Sequence, residues 1–191
     1  MSTTATQVVS QRNRALETAT QIAIIVAASL FVALCARIYI PLPGTPVPLT
    51  VQNLGVLLVG LALGSRRGFI ALGLYLAEGI SGLPVFSPHG FGGLAQIVGP
   101  SGGYLIAYPF VAALTGYIFE HGKSSFARAA LASLAGEILL FMFGVSWLYV
   151  LTHSLKLALS FGLYWFIFAE ILKVMFAAGI ARSWKSFFTR N

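Results

Sequence analysis

Charged side chains are scarce in this chain of 191 residues. Only 9% of its residues are Asp, Glu, Lys or Arg, whereas about 25% is usual in soluble domains. So few charges cannot cover a globule of this size in water and still leave a dry core. The scarcity excludes a water-soluble fold. It predicts a lipid bilayer as the solvent, with room for about six spanning helices of about 20 residues each.

Cysteine and histidine are almost missing as well. The one cysteine, Cys35, lies in an apolar run, which excludes a disulfide framework. His89 and His121 have no second histidine or carboxylate at the spacing that metal ligands show. We therefore expect no metal site and no bound cofactor. The basic residues are scattered and form no stripe, which argues against a nucleic-acid partner.

What the sequence has in abundance is long apolar runs. No small-residue cleavage pattern follows the first run, so we expect it to remain as a span rather than to be removed as a signal peptide. The prediction is an all-α membrane protein, a bundle of six transmembrane helices that forms a single membrane domain over residues 1–191. The predicted spans cover residues 19–36, 51–64, 69–83, 104–119, 129–151 and 161–181, with a basic turn at 65–68.

Two irregular segments interrupt the apolar runs. Residues 41–49 hold four of the eight prolines, and residues 82–103 are rich in glycine. A helix interior or a strand cannot pass through such proline density. Backbone of this kind persists at membrane depth only when it is buried in protein or lines a wet cavity. We therefore expect two ordered loops, between helices 1 and 2 and between helices 3 and 4, that border one cavity.

The basic residues predict the orientation. With six spans, 9 of the 12 lysines and arginines fall on one side of the membrane, which is therefore expected to be the cytoplasmic side. Both termini are then cytoplasmic, as segments 1–20 and 182–191, and the two ordered loops are external. The nine are Arg12, Arg14, Arg66, Arg67, Lys123, Arg128, Arg182, Lys185 and Arg190.

The most informative charges are Glu170 and Lys173, in an otherwise apolar last span. A spacing of three residues places both on one face of a helix. They could be a self-neutralising internal ion pair. They could also form a ligand site, because a carboxylate accepts N–H donors and an ammonium donates to a carbonyl, which suits a small molecule that carries both groups.

Other polar residues of the spans have less specific patterns. Gln52 is expected to face the cavity, whereas Asn53 could face it or, as we favour, cap the second span. Glu78, beside the glycine-rich loop, could belong to the cavity, and Glu137 is interpreted as a packing contact. The GPSGG run before Tyr104 is either a tight turn or a set of backbone N–H donors for an anion or a carbonyl.

Small residues recur along the first span at a spacing that lets helices approach closely. This ridge packs inside the bundle or forms a docking face for another membrane subunit. Its members are Ala23, Ala27, Ser29 and Ala33.

The sequence contains neither a complete phosphate-binding loop nor a nucleophile with a histidine base. Gly122 begins a Gly-Lys-Ser run, but Tyr117 stands where a phosphate-binding loop needs its first glycine. This chain is therefore not expected to hydrolyse ATP. No serine or cysteine shares a face with a histidine, which disfavours a membrane hydrolase. A structural assembly subunit remains an alternative.

Four segments together resemble the BioY family, the biotin-binding S components of energy-coupling factor (ECF) vitamin transporters. They are TPVPLTVQNLG (45–55), GLPVF (82–86), GPSGGYL (99–105) and the Glu-x-x-Lys of the last span. The resemblance extends over residues 21–181. It implies a non-enzymatic component of the cell membrane that captures biotin outside the cell. A transmembrane coupling (T) subunit and two cytoplasmic ATPase subunits would be its partners.

The resemblance also implies site residues. Gln52, the Gly103–Tyr104 pair and Lys173 match positions of the family pattern, whereas Glu170 stands where the pattern has aspartate, with its carboxylate roughly 1.5 Å further out. Glu170 and Lys173 would bind the ureido head of biotin, with Gln52 and Tyr104 completing the polar set. Phe86, Phe91 and Tyr104 would supply an apolar wall.

Another vitamin is the main alternative substrate. Riboflavin or thiamine could be bound by a component of the same kind. Lys173 argues against thiamine, because a cationic ligand favours an aromatic cage with carboxylates and no lysine.

Overall fold

Seven α-helices make up most of the computed structural model, which describes residues 2–122 and 125–188. Lys123, Arg190 and the end of the predicted tail lie outside the described residues. The elements are α1 (Ser2–Cys35), β1 (Tyr39–Ile40), β2 (Leu49–Thr50), α2 (Gln52–Ile80), α3 (Gly93–Val98), α4 (Gly102–Glu120), α5 (Phe126–Thr152), α6 (Leu155–Leu159), a π-helix (Ser160–Tyr164) and α7 (Ile167–Phe188).

Among the described residues, four helices are long and apolar enough to cross a membrane. They are Arg14–Cys35 of α1, α2, α4 and α5, and the bent pair formed by residues 155–164 and 167–183 adds a fifth if it is one span. Large apolar side chains such as Leu34 and Phe168 remain exposed on the outer surface. A surface of this kind suits lipid rather than water. The chain is therefore a mainly helical, multi-pass membrane protein.

Helix α2 folds back on itself at Gly64. Gln52 at its beginning donates a hydrogen bond to the hydroxyl of Tyr75 near its end, at 2.8 Å, which a straight helix of this length would forbid. Gly64 has φ +81°, a conformation that favours glycine. The backbones of Gly60 and Gly68 then approach closely enough for a methyl group on Gly68 to touch Gly60. Predicted spans 51–64 and 69–83 are the two halves of α2, and the expected turn at 65–68 lies instead at Gly64.

The last predicted span, 161–181, is not one straight helix. A π-helix precedes α7, and the two helical segments meet at a bend of 41° around residues 165–166. The carbonyl of Gly162 in this π-helix accepts a hydrogen bond from the Tyr104 hydroxyl at 2.7 Å. Side-chain hydrogen bonding of this kind stabilises a local departure from α-helical geometry, and such departures are frequent at functional sites.

The two predicted loops have some regular structure of their own. Strands β1 and β2 pair antiparallel, with Tyr39 opposite Thr50 and Ile40 opposite Leu49, so the fold is not strictly all-α. Four prolines without N–H groups lie between the paired residues, which keeps the hairpin short. The glycine-rich segment 82–103 contains α3 and the beginning of α4.

Candidate functional site

A cavity lies where the two loops meet the beginnings of α2 and α4. The proline-rich loop and β2 contribute Val47, Pro48 and Thr50, and the glycine-rich segment contributes Gln96 and Ser101. The prediction that both segments border one cavity is confirmed. The helices and the bend before α7 supply the rest of the lining, namely Gln52, Asn53, Tyr104, Leu105, Tyr108, Leu140, Phe141, Phe166, Glu170 and Lys173.

The Glu170–Lys173 ion pair is on the wall of this cavity. Lys173 Nζ is 2.8 Å from Glu170 Oε1, one helical turn away on α7, and both side chains are nearly buried. An ion pair at this depth requires further hydrogen bonds to offset its desolvation. The pair is therefore one part of a larger polar group.

Asn53 is at the centre of that group. Its Oδ1 accepts from Lys173 Nζ at 2.6 Å, and its Nδ2 donates to Glu170 Oε2 and, at 3.2 Å, to Glu137 Oε1. The helix cap of α2 is Val51, which makes no side-chain capping bond. The favoured interpretation of Asn53 as a cap is therefore wrong. Glu137 is likewise more than a packing contact, because it belongs to this polar group.

Gln52 and Tyr75 connect the cavity to the glycine-rich loop. Gln52 Nε2 donates to the Tyr75 hydroxyl, which in turn donates to the carbonyl of Val85 at 3.0 Å. The Phe86 ring packs edge-on against Tyr75 and occupies the space where Gly79 has no side chain. This chain of contacts fixes the loop after α2 to the beginning of the same helix.

Tyr104 contributes its ring to the cavity and its hydroxyl to the π-helix. The ring lies directly over Gly144, where a Cβ atom would come within 2.1 Å of it. Gly103 is buried beside it, and a Cβ there would come within 2.4 Å of Trp147 Cβ. Gly103 thus lets α4 approach α5, but it does not line the cavity itself.

The structure does not bring the two predicted phenylalanines into the cavity. Phe86 is 3% exposed among Tyr75 and Gly79, and Phe91 is 88% exposed on the loop. Phe141 and Phe166 line the cavity instead. Sequence spacing gave no signal for these two, because they come from α5 and from the bend before α7.

The other predicted polar and small residues are placed elsewhere. Glu78 is away from the cavity wall and accepts a hydrogen bond from Ser29 Oγ. In the small-residue ridge, Ser29 and Ala33 are buried inside the bundle, whereas Ala23 and Ala27 are exposed. Of the four ridge residues, Ala23 and Ala27 are therefore the two that another protein could contact on the surface of α1.

No three metal-ligating side chains come together in the part of the chain that the structure describes. The His89 ring packs against Tyr39, and His121 Nδ1 is 2.8 Å from the carbonyl of Tyr117.

A bundle of apolar helices with an ion pair on the wall of a largely apolar cavity defines a class of protein, the multi-pass membrane proteins with a binding site among their helices. The particular family follows from comparison. The BioY family model matches residues 5–190, and the chain belongs to this family. It is a family of transport proteins rather than of enzymes.

Individual relatives are similar in sequence over most of the chain. The biotin transporter BioY of Rhizobium etli is 35% identical over 164 residues, which are 82% of this chain and 87% of that protein. The biotin transporter BioY of Thermotoga maritima is 36% identical over 158 residues, which are 82% and 92% of the two chains. The crystal structure of the S-component for biotin from an ECF-type ABC transporter is similar with a TM-score of 0.80. It is 28% identical, and the match covers 89% of this chain and 93% of that one.

Proposed function

We propose that this chain is a biotin-binding S component that captures its substrate in the cavity beneath the two loops. The observation that carries the proposal is the Glu170–Lys173 pair on the cavity wall, held by Asn53. The ureido ring of biotin has two N–H donors and one carbonyl. Glu170 can accept from the donors and Lys173 can donate to the carbonyl.

The remaining lining suits the rest of the molecule. Gln52 is buried at the cavity wall and extends the polar set. Tyr104, Phe141 and Phe166 offer apolar surface for the bicyclic body and the valeryl chain. Phe86 and Gly103 act through packing behind the wall, and Phe91 is exposed on the glycine-rich segment that contributes Gln96 and Ser101 to the cavity.

We further propose six membrane crossings in one domain, counting each half of α2 and the bent α6–α7 pair as spans. The contact between Gln52 and Tyr75 supports the separate halves of α2. The excess of arginine and lysine on one side supports cytoplasmic termini in the cell membrane. A coupling subunit of the transporter would dock at the exposed Ala23 and Ala27 face, and two ATPase subunits would supply the ATP hydrolysis.

Calorimetric titration of the detergent-purified protein with biotin tests the substrate assignment. Glu170→Ala and Lys173→Ala are each expected to weaken biotin binding by at least about tenfold, since each removes a charged hydrogen-bonding group. Lys156→Ala is the matched control, because Lys156 is exposed on α6, away from the cavity lining. Unchanged affinity in both cavity variants contradicts the site.

Native mass spectrometry tests the substrate without any variant. Protein purified from a biotin-containing medium is expected to carry a ligand of the mass of biotin. A ligand of the mass of riboflavin or thiamine, with no biotin bound, contradicts the proposal in favour of another vitamin.

A further inference from the structure

A second carboxylate is buried behind the ion pair. Glu137 of α5 is 3% exposed, and its Oε1 accepts from the same Asn53 nitrogen that donates to Glu170. The proposed binding of biotin uses Glu170 and Lys173 and gives Glu137 no task.

The charges of this group do not balance if both carboxylates are ionised. Two carboxylates share one neutral amide, and Lys173 is the ammonium in contact, paired with Glu170 at 2.8 Å. Ionised carboxylates this close repel each other, and an uncompensated charge inside a membrane protein is costly. One bound proton makes the group neutral.

Glu137 offers the better position for that proton. Both oxygens of Glu170 accept hydrogen bonds, one from Lys173 and one from Asn53. Glu137 Oε2 is buried with no hydrogen-bond partner among the described residues. A proton there removes the charge from the oxygen that has nothing to stabilise it and turns that oxygen into a donor.

Two further hydroxyls, those of Ser133 and Thr115, are buried near the same part of α5. Ser133 lies one helical turn before Glu137, and Thr115 of α4 faces Gly136, where a Cβ would come within 2.4 Å of its hydroxyl oxygen. Both hydroxyls are buried without a partner in the described part of the chain. Neither hydroxyl bonds Glu137 Oε2, so no donor in the described part of the chain stabilises a negative charge on that oxygen.

The titratable and polar groups that face Glu137 come from three helices. Helix α7 supplies Glu170 and Lys173, α2 supplies the uncharged amide of Asn53, and α4 supplies the phenol of Tyr108. Lys173 is the cation among them, and it is already paired. Nothing in this set compensates a second negative charge.

We propose that Glu137 is a proton-binding site. The proton that it takes up from water keeps Glu170 and Lys173 paired with each other, in the arrangement that binds the substrate. Loss of this proton places a second negative charge on the Asn53 amide, which draws Asn53 and Lys173 away from Glu170. Biotin affinity then falls as the pH rises. Linkage between two sites is reciprocal, so biotin binding at alkaline pH takes up a proton. The coupling to biotin rests on the proposed function, whereas the proton itself does not.

Infrared spectroscopy of the ligand-free protein tests the proton directly. At neutral pH the unmodified protein is expected to show the carbonyl stretch of a protonated carboxylic acid, and Glu137→Gln is expected to lack it. Glu78→Gln is the matched control, a carboxylate in a span that bonds Ser29 away from the cavity, and it is expected to keep the band. If Glu137→Gln does not fold, Glu137→Asp retains the acid and must shift the band and the pH at which it disappears.

Biotin titrations from mildly acidic to mildly alkaline pH test the coupling. A coupling of ordinary size predicts that affinity of the unmodified protein falls by about fivefold or more across the range, while Glu137→Gln stays flat over the same range. A band absent from the unmodified protein, or retained in Glu137→Gln, overturns the proton site. An unchanged pH dependence in Glu137→Gln overturns the coupling. If no biotin binds at any pH, the proposed function fails, and the infrared band still decides whether Glu137 holds a proton.

Discussion

Asn53 Oδ1 accepts a hydrogen bond from Lys173 Nζ at 2.6 Å, although 120 residues separate the two side chains. The same amide donates to Glu137 on α5 and Glu170 on α7. One short side chain on α2 therefore connects three helices at the wall of the cavity. Interhelical hydrogen bonds in membrane proteins contribute about 0.6–2 kcal/mol each, so this amide supports both the bundle and the binding site.

Replacing Asn53 with leucine, a side chain of similar size, is expected to destabilise the ligand-free protein by about 1–3 kcal/mol. The reason is that buried charged groups lose hydrogen bonds that nothing replaces. Thermal unfolding in detergent measures the effect, and biotin titration is expected to show weaker binding as well. Thr18→Val is the control, because the Thr18 hydroxyl bonds the carbonyl of Arg14 in its own helix. Equal melting temperatures for the two variants would show that Asn53 has no such role.

The sequence predicts part of this site and not the rest, for a physical reason. Glu170 and Lys173 are three residues apart, so helical geometry alone places them together. Asn53 and Glu137 reach the same point from helices whose packing no local pattern specifies. A signal was nonetheless present, since a polar residue buried in a span must find a partner, and Asn53 and Glu137 had none nearby in the sequence.

Removing the hydroxyl of Tyr104 is expected to loosen the π-helix rather than empty the cavity. In Tyr104→Phe the carbonyl of Gly162 loses its donor, and an unpaired buried acceptor costs about 1–3 kcal/mol. The ring and its apolar surface stay. We expect a lower melting temperature, with a smaller loss of biotin affinity than Lys173→Ala causes. Tyr149→Phe, on the exposed side of α5, should leave both quantities unchanged, and equal effects of the two tyrosine variants contradict the assignment.

Thr45 is expected to slow the release of biotin. Its hydroxyl donates to the carbonyl of Phe161 at 2.6 Å and accepts from the Val47 backbone at 3.1 Å, so it ties the proline-rich loop to the π-helix. Thr45→Val removes these contacts, and a loss of about 1 kcal/mol corresponds to about fivefold faster dissociation. A chase of labelled biotin measures this rate. Thr20→Val is the control, because the Thr20 hydroxyl bonds the carbonyl of Leu16 in its own helix. An equal dissociation rate in both variants would contradict a role of Thr45 in holding the loop.

The sequence predicts the spans better than the turns between them. A span is predicted from the scarcity of charge over about 20 consecutive residues, so no single residue decides it. The turn expected at residues 65–68 depends on one residue instead. Gly64 supplies the positive φ, and Glu120 Oε1, from the end of α4, accepts from the Ser65 backbone at 3.0 Å. A partner 55 residues away cannot be identified from the pattern of the turn.

Gly64 is expected to tolerate no side chain. A Cβ atom there would come within 1.6 Å of Glu120 Oε1, and its φ of +81° is strained for any L residue. Gly64→Ala must therefore displace the Glu120 carboxylate or straighten the fold of α2, which separates Gln52 from Tyr75. We expect a loss of folded protein in detergent by size-exclusion chromatography, or a melting temperature well below that of the unmodified chain.

Gly73→Ala is the matched control, because nothing lies within 4 Å of a Cβ at Gly73, and alanine favours a helix by up to about 1 kcal/mol over glycine. If the two alanine variants are equally stable, α2 does not need its turn at Gly64.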